Sequence, residues 1–542
     1  MKNRTLAALT ALVTLSLAPA AHATDWYRAE SQHFIVYSED TENETREFAQ
    51  DLERLDEVLR FMNGVGADDG SLPPSAKVTV YRFGETADMS ALAAGNRNSG
   101  IGGFFIPRAH GSVAFVPRRR DRQRGRSASE RIDEDMMLDP KAILFHEYVH
   151  YFMFQHRDAP YPLWYSEGFA ELFSNLEFGD DYFVIGQVPP WRSASLATIS
   201  IDLPDTFDPP ARGTRETVGR TYAHGWLIAS HLNLNPARRG QMGAYMQAIS
   251  QGATVMQAAE QAFGDLEVLR RELEEFRRGR SRILRVPYSV QADPPVEMHR
   301  LTEDEVARMD MMIRSERGVD EAEAQRLVPQ ARRLVEQYPQ SEAVLLAATE
   351  AEFDARNYAE AESLAQRAMT LDPESTMAAI YYAEVPLRQS FEDPSRLAVA
   401  RSRFAAANRM ENDHAFPLYG YYLTYLLDDG QEIPETARQA LEDAFAYAPF
   451  DQDVRRALVH LLLLEDRAPE ARVVGASYML GNGPFACLLR HEFDDFDAGN
   501  REPLLTELRP DHPGEYLDED AREARQDEAK ERARAYGCEV DD

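Results

Sequence analysis

Cysteine is nearly absent from this chain: Cys487 and Cys538 are the only two among its 542 residues. Two thiolates cannot make a four-thiolate zinc site, so structural zinc binding by cysteine alone is excluded. In an oxidising compartment the two could form one disulfide that ties the C-terminal tail to its domain. The sequence does not give the Cα separation that decides this, so the pairing stays open.

Positive charge is also scarce in this sequence. The chain has 59 Lys and Arg against 91 Asp and Glu, which gives a formal net charge of -32. Nucleic acid phosphates and anionic membrane surfaces bind through clustered Lys and Arg, so the charge balance argues against both as partners. Acidity of this strength keeps a protein soluble but does not identify a partner.

Long apolar runs are missing beyond the first 23 residues. Residues 1–23 have the form of a secretory signal peptide, because Lys2 and Arg4 precede a short apolar stretch and Ala-His-Ala at 21–23 is a small-x-small cleavage site. The apolar stretch is shorter than the ~20 residues of a membrane-spanning helix. We therefore expect an exported protein without an integral membrane segment after signal cleavage. An uncleaved signal that anchors the chain is the alternative.

Strand and helix patterns follow one another in the N-terminal part. Residues 34–38 and 78–83 have the apolar alternation of half-buried strands, and a helix with one apolar stripe lies between them. Residues 103–106 and 112–116 flank a turn and predict a β-hairpin. Strands followed by helices predict an α+β domain over residues 24–285.

The pentapeptide His-Glu-Tyr-Val-His at 146–150 carries the strongest chemical signal. A helix is predicted here because Asp139 is a good N-cap and Pro140 suits the first helical position. Apolar residues flank the motif on both sides, which predicts a buried helix. His146 and His150 lie on one helical face about 6 Å apart, so both can reach one ion. Zinc binds neutral imidazoles, and a catalytic zinc site leaves its fourth position to water.

The other parts of a catalytic zinc site lie in and after the motif. Glu167 would complete a set of two His and one Glu around one zinc ion. Glu147 directly follows His146 and projects past the metal, so it could take a proton from the zinc-bound water and pass it to the leaving amine. Glu171 lies one turn beyond Glu167 and is the candidate to orient one ligand His through its other ring N–H. A solvated or capping carboxylate is the alternative for Glu171.

The stretch around Glu167 resembles a known family. Residues 164–170 read Trp-Tyr-Ser-Glu-Gly-Phe-Ala and are similar to the aminopeptidase N stretch Trp-Leu-Asn-Glu-Gly-Phe-Ala, whose Glu is the third zinc ligand. Glu167 and Glu171 are similar to the Glu-x-x-x-Asp of thermolysin, whose Asp orients a ligand His. Residues 25–280 thus resemble the gluzincin zinc metallopeptidases, and the start of this region resembles a bacterial group of secreted gluzincin-like proteins.

The resemblance implies one more site residue. In gluzincins a Tyr or His from a later helix stabilises the tetrahedral oxyanion, and the helix pattern of residues 218–232 offers Tyr222 as the first choice and His224 as the second. A core Tyr and a surface His are the alternative. The chain departs from these relatives in two ways: 16 residues separate His150 from Glu167, slightly fewer than in them, and no Gly-x-Met-Glu-Asn-like stretch is present. The resemblance therefore does not separate endopeptidase from exopeptidase.

Two features near the motif have open roles. The Arg-rich stretch 118–131 reverses the sign of charge in an acidic chain, as a solvated loop, a substrate-gating loop or a site of proteolytic nicking would. The stretch 102–105 reads Gly-Gly-Phe-Phe and could mark an edge strand along which a peptide lies, or it could pack as an ordinary hairpin.

The C-terminal half carries an internal repeat after a predicted linker at 286–320, in which a short helix after Thr302 is one interpretation. Small residues recur in pairs seven positions apart within residues 321–500: Ala361 and Ala368, Ala400 and Ala407, Ala437 and Ala444. This pattern resembles a degenerate tetratricopeptide repeat, which implies stacked helix pairs in an α-solenoid. An unrelated helical bundle is the alternative. Residues 501–542 are a highly charged C-terminal tail, for which we expect a solvated helix.

Together these patterns predict an α+β gluzincin-like metallopeptidase domain followed by a mostly α-helical tetratricopeptide-like solenoid. The predicted function is zinc-dependent peptide hydrolysis in the periplasm or outside a bacterial cell, on a peptide or protein substrate. The repeats would recruit substrate or a protein partner. One alternative is a non-catalytic envelope scaffold, although a structural zinc site would not need Glu147. The other is a zinc hydrolase of a non-peptide amide.

Overall fold

The computed structural model of the protein describes residues 25–68, 72–99, 101–120, 139–157, 159–210, 213–279, 283–291, 293–481, 483–515 and 519–540. The predicted signal peptide and the Arg-rich stretch from residue 121 onwards lie outside these residues. Among the helices of the described ranges, none is long and apolar enough to cross a bilayer. The chain has an N-terminal α/β part and a mostly helical C-terminal part.

Short strands supply the sheets of the N-terminal part. They are β1 (Tyr27–Glu30), β2 (Phe34–Ser38), β3 (Val78–Glu85), β4 (Phe104–Ile106), β5 (Val113–Arg119), β6 (Glu177–Phe178), β7 (Tyr182–Ile185), β8 (Leu284–Pro287) and β9 (Glu297–Arg300). A larger sheet has the order β4-β5-β3-β2-β1-β9, and a smaller one has the order β6-β7-β8.

The N-terminal part also contains α-helices. They are α1 (Glu42–Asn63), α2 (Thr86–Ala94), α3 (Pro140–His156), α4 (Leu163–Phe173), α5 (Ser193–Thr198), α6 (Leu203–Phe207), α7 (Arg215–Gly219), α8 (Gly225–Leu234), α9 (Gln241–Ser250), α10 (Val255–Phe263), α11 (Leu266–Arg278) and α12 (Glu303–Arg317). A π-helical segment, Arg220–His224, joins α7 to α8. One face of the sheet packs on α1 and α3, with α4 and α8 in the same core, and the other face packs on α2 and α12.

The larger sheet is mixed. Strands β2, β3 and β5 are parallel, with Phe34 opposite Val78 and Thr79 opposite Val113. The predicted hairpin is confirmed, because β4 pairs antiparallel with β5 and forms one edge of the sheet. Inward-facing residues such as Val36 and Val80 are fully buried, which is the reason for the apolar alternation in the sequence.

The motif helix α3 begins as predicted. The Asp139 side chain accepts a hydrogen bond from the Lys141 backbone N–H at 2.8 Å, and Pro140 is the first helical residue. Apolar residues before and after the motif, including Phe145 and Phe152, are buried in the N-terminal core. The helix is therefore held from several sides, which fixes the direction of its two His.

The prediction of a linker over residues 286–320 was wrong. Strand β9 pairs with β1 and forms the second edge of the larger sheet, and α12 packs its Met309 and Ile313 beneath that sheet against Trp26. The sequence of this stretch shows no single hydrophobic periodicity because it contains two short strands followed by a helix. It belongs to the N-terminal part.

Successive α-helices make up the C-terminal part. They are α13 (Glu321–Gln337), α14 (Glu342–Asp354), α15 (Tyr358–Leu371), α16 (Thr376–Gln389), α17 (Arg396–Asn408), α18 (Ala415–Leu426), α19 (Glu435–Tyr447), α20 (Gln452–Leu464), α21 (Ala468–Val474), α22 (Pro484–Asp497), α23 (Glu502–Leu508) and α24 (Glu519–Ala535). Each helix from α13 to α20 packs on the helix that follows it. The paired alanines of the repeat pattern lie in α15, α17 and α19 and are fully buried, so small side chains let the helices approach closely.

The charged tail is helical, as expected, and it is attached to the helical part. Helix α24 is followed by Cys538, which forms a disulfide with Cys487 of α22 across a Cα distance of 6.0 Å. Arg532 binds the buried Glu492 carboxylate at 2.6 Å, and the Tyr536 hydroxyl donates to Asp495 at 2.7 Å. The pairing left open by the sequence is thus formed in the structure.

Candidate metal centre

Three side-chain atoms converge between α3 and α4. Nε2 of His146 lies 3.0 Å from Oε2 of Glu167 and 3.2 Å from Nε2 of His150, and His150 Nε2 lies 3.6 Å from the same Glu167 oxygen. The three predicted metal ligands are therefore brought together. They form one of two groups of possible metal ligands in the described residues.

Local sequence explains this convergence. The four-residue spacing places both His on the side of α3 that faces α4. Pro162 ends the connecting loop as the N-cap of α4, and Glu167 follows in the second turn of that helix. All three candidate ligand side chains are less than one-fifth exposed, so they lie largely buried between the two helices.

The spacing of the three atoms fits a zinc ion. Ligand atoms about 2.0–2.1 Å from a tetrahedral zinc are about 3.3 Å apart, and the three observed separations bracket this value. Two neutral imidazoles and a carboxylate are also the donor set of catalytic zinc sites. Each imidazole could donate an Nε2–H to the Glu167 oxygen, but two N–H donors would then face each other across the 3.2 Å between the Nε2 atoms. A shared cation accounts for all three contacts without this conflict.

Electrostatic interactions within the cluster favour the charged forms of Glu167 and His146. Burial alone would raise the pKa of Glu167, but hydrogen bonds from His146 and His150 outweigh it and hold that pKa well below its ordinary value. Burial would lower the pKa of His146, yet Glu167 and Glu171 raise it overall. The carboxylate is therefore charged at neutral pH and attracts a positive charge to the centre between the ligands.

Neighbouring groups fix the orientation of both imidazoles. The Ser166 hydroxyl lies 3.0 Å from Nδ1 of His150. On the other side, Oε1 of the buried Glu171 lies 3.7 Å from Nδ1 of His146, the distance of an ion pair rather than a hydrogen bond. Glu171 therefore lies beside a candidate ligand His, which is the position that an orienting carboxylate requires.

Sequence reasoning missed the residues that hold Glu171. The Arg192 guanidinium donates to Oε1 of Glu171 at 2.6 and 2.8 Å, and the Trp191 indole N–H donates to Oε2 at 3.0 Å. Both residues lie in the segment just before α5. The adjacent Trp-Arg pair was the only signal in the sequence, and it had no motif around it.

Glu147 is half-buried beside the ligand cluster. Burial raises its pKa above the ordinary Glu value, although His146 and His150 act in the opposite direction. Among the described residues it has no hydrogen-bond or ion-pair partner, unlike Glu167 and Glu171. A carboxylate in this state can accept a proton without first breaking a salt bridge.

The two candidates for stabilising the oxyanion, Tyr222 and His224, lie in different environments. The Tyr222 ring stacks on the His146 ring with centroids 6.0 Å apart, and the Arg192 guanidinium lies 4.4 Å from the Tyr222 ring centre. His224 is completely buried, and burial, followed by the charge of Arg277, lowers its pKa to about 4. The structure thus brings Tyr222 to the cluster, whereas His224 lies in the core.

A contact between two glycines places Tyr222 near the ligands. A Cβ on Gly168 would lie 2.2 Å from the backbone C and O of Gly225, and a Cβ on Gly225 would lie 2.4 Å from the backbone O of Trp164. Helices α4 and α8 therefore touch backbone to backbone. Gly168 directly follows Glu167, and Gly225 directly follows the π-helical segment that carries Tyr222.

The second group of possible metal ligands is Cys487, His491 and Cys538. The two sulfurs are bonded to each other, so this group has no thiolate to offer a metal. The sequence matches no known protein family, and no curated protein resembles it significantly. The function of the protein must therefore be inferred from the residues of the cluster between α3 and α4.

Proposed function

We propose that this protein is a zinc-dependent peptidase of the gluzincin type, with His146, His150 and Glu167 as the ligands of one zinc ion. One observation carries the proposal: the two imidazole nitrogens and the carboxylate oxygen lie 3.0, 3.2 and 3.6 Å apart around a common centre. A zinc ion bound there would supply Lewis acidity to a peptide carbonyl and to water.

Glu147 acts as the general base in this proposal. Its raised pKa brings it closer to neutrality, where a carboxyl can both take a proton from water and release it to the departing amine. Its half-buried position and its lack of a partner among the described residues support this assignment. A structural zinc site would need no free carboxylate next to a ligand.

Two further groups assist the reaction. The Tyr222 hydroxyl donates a hydrogen bond to the oxygen that becomes negative when the peptide carbonyl is attacked. Burial, followed by the charge of Glu167, raises the Tyr222 pKa, so this hydroxyl keeps its proton at neutral pH. Glu171 keeps the His146 ring in its ligating orientation, and Arg192 holds Glu171 in place.

The cellular setting belongs to the same proposal. The Cys487–Cys538 disulfide supports an oxidising compartment, as expected for an exported protein in the periplasm or outside the cell. The substrate is a peptide or protein, and the helical C-terminal part, which we interpret as degenerate tetratricopeptide repeats, recruits substrate or a protein partner.

Glu147→Gln tests the chemistry separately from the metal. We expect the variant to retain one zinc per chain and to lose at least a hundredfold in turnover on a peptide library, because the base is removed but no ligand is changed. A chelator-treated sample of the unaltered chain is the control for metal dependence. If the variant is as active as the unaltered chain, the assignment of Glu147 is wrong. Zinc binding without any peptide cleavage would favour the alternatives of a non-peptide amide substrate or a scaffold.

A further inference from the structure

The loop of residues 107–111 inserts between the N-terminal part and the helical part. This loop joins β4 to β5, and it turns through a hydrogen bond from Gly111 N to Arg108 O at 3.1 Å. Ala109, at the tip, is only 6 % exposed and packs within the core cluster of the helical part, whose other buried members lie between Ala383 and Leu508. The helical part therefore encloses the tip of a hairpin from the α/β part.

Polar contacts hold the loop at both sides of Ala109. The backbone N–H of Ala109 donates to Oδ2 of Asp451 at 2.6 Å. The His110 ring lies 2.9 Å from the Glu384 carboxylate and packs edge-on against Phe416 at a centroid distance of 4.0 Å. These partners belong to α16, to α18 and to the N-cap of α20.

The surface that receives the loop is acidic, whereas the loop is basic. Arg108 forms an ion pair with Glu316 at the end of α12 and also donates to the Glu316 backbone O at 3.1 Å. Burial raises the pKa of Glu350 in α14, and Arg108 acts against that shift. Arg108 thus supplies positive charge to a group of buried carboxylates that would otherwise face one another.

The other end of the same hairpin contacts the motif helix. A Cβ on Gly103 would lie 2.7 Å from Cγ2 of Ile143, and a Cβ on Gly102 would lie 2.8 Å from its Cδ1. Ile143 precedes His146 by one helical turn. Strand β4 is the edge of the larger sheet, so its outer backbone groups have no strand partner among the described residues.

We propose that the acidic face formed by α12, α14, α16, α18 and the start of α20 is a binding surface for the chain's own loop 107–111, and that this contact holds the edge strand β4 against α3. The helical part then acts as a brace for the strand beside the metal centre. The idea that a substrate lies along β4 depends on the proposed function. The contact between loop and helical part does not depend on it.

Asp451→Asn in the full-length protein tests the brace. Asp451 caps α20 through Oδ1, which accepts from Asp453 N and Val454 N at 2.9 Å, and it holds the loop through Oδ2. Asn is an equally good N-cap but presents an amide N–H₂ in place of the second oxygen, so the cap is kept and the loop contact is lost. Asp320→Asn, at the exposed N-cap of α13, is the matched control.

Hydrogen exchange of the backbone amides in β4 and the loop is the readout. We expect exchange to rise about tenfold or more in Asp451→Asn, the factor given by the loss of one charge-assisted hydrogen bond, and to stay unchanged in Asp320→Asn. Glu384→Gln, which weakens the His110 contact only, should give a smaller rise and covers the case that Asp451→Asn does not fold. Unchanged exchange of β4 in Glu384→Gln and in any folded Asp451→Asn protein would overturn the proposal.

Dilution identifies the occupant of the surface. If the loop is held by its own chain, tenfold dilution of the unaltered protein leaves β4 exchange unchanged. Faster exchange on dilution would mean that a second copy supplies the loop, which would overturn the proposal. Measuring hydrogen exchange needs no substrate. A protein without peptidase activity can therefore still show the expected changes in exchange, and such a result would refute the proposed function but not the brace. If the chain is active, loosening β4 in Asp451→Asn should raise KM for peptides more than it lowers kcat.

Discussion

Gly168→Ala is the most informative single change, because it adds one methyl group where two helices touch. The new Cβ would lie 2.2 Å from the backbone C and O of Gly225. Carbon atoms pack at about 3.5–4.0 Å, so α4 and α8 would have to separate by more than about 1 Å. Neither helix can relieve this by rotating a side chain, because both contacting surfaces are backbone.

Two opposing effects decide the outcome of Gly168→Ala. Replacing Gly with Ala inside a helix stabilises it by about 1 kcal/mol. Overpacking a core typically costs about 1–3 kcal/mol, and a backbone contact belongs at the upper end of that range. We therefore expect a net loss of about 2 kcal/mol in the free energy of unfolding of the N-terminal part, together with weaker zinc binding, because Glu167 precedes the changed residue.

Tryptophan fluorescence during denaturant unfolding is the appropriate assay. The protein has four Trp, and all of them lie in the N-terminal part, so the signal does not report on the helical part. Gly243→Ala in α9 is the control, since a Cβ there would meet nothing within 4 Å and should stabilise the helix by about 1 kcal/mol. If Gly168→Ala is as stable as this control, the backbone contact between α4 and α8 does not exist.

Three further changes test other parts of the account. Tyr222→Phe should lower kcat about a hundredfold, roughly 3 kcal/mol for one oxyanion donor, with zinc content unchanged; equal kcat would remove Tyr222 from the mechanism. Burial, opposed in part by Arg388, raises the pKa of Asp354 to about 7. The folded carboxyl thus keeps its proton to higher pH than the unfolded one, so stability is lost as the pH rises through 7. Asp354→Asn should flatten the fall in melting temperature between pH 5 and about 8, and an unchanged profile would refute this. Replacing Cys487 and Cys538 with Ser should destabilise the helical part by about 4 kcal/mol in the chain-entropy model, because the disulfide closes a separation of 51 residues. A circular dichroism melt measures the loss, and an unchanged melt would mean that the bond does not form.

The convergence of the candidate metal ligands was largely predictable because its geometry is local. The spacing of His146 and His150 needs only the helical period, and the N-cap Asp139 fixes where that helix begins. Glu167 required one step more, the assumption that α4 folds back on α3, which the prolines in the connecting loop made reasonable. The His and Glu positions therefore followed from helix geometry and from the resemblance to gluzincins.

Contacts between distant segments could not be predicted. Arg192 reaches Glu171 because a loop after the smaller sheet returns to α4, and nothing in the sequence fixes that path. The π-helical turn that presents Tyr222 and buries His224 also depends on the contact between Gly168 and Gly225. Two candidates two residues apart in sequence thus received opposite environments.

The linker prediction over 286–320 was wrong for a similar reason. A four-residue strand such as β9 has too few residues to show a period, and its partner β1 lies more than 250 positions earlier. The mostly helical character of the C-terminal part was easier to predict, since alanines that recur at fixed spacing are typical of closely packed neighbouring helices. The insertion of loop 107–111 into the helical part had no sequence signal.

Metal analysis of the purified full-length protein tests the central claim most directly. The account predicts one zinc per chain, lost in His146→Ala and in His150→Ala and retained in Glu147→Gln, because only the first two remove a ligand. Zinc far below one per chain, with the same content in all four proteins, would contradict it. The three converging side chains would then be a hydrogen-bonded cluster and not a metal site.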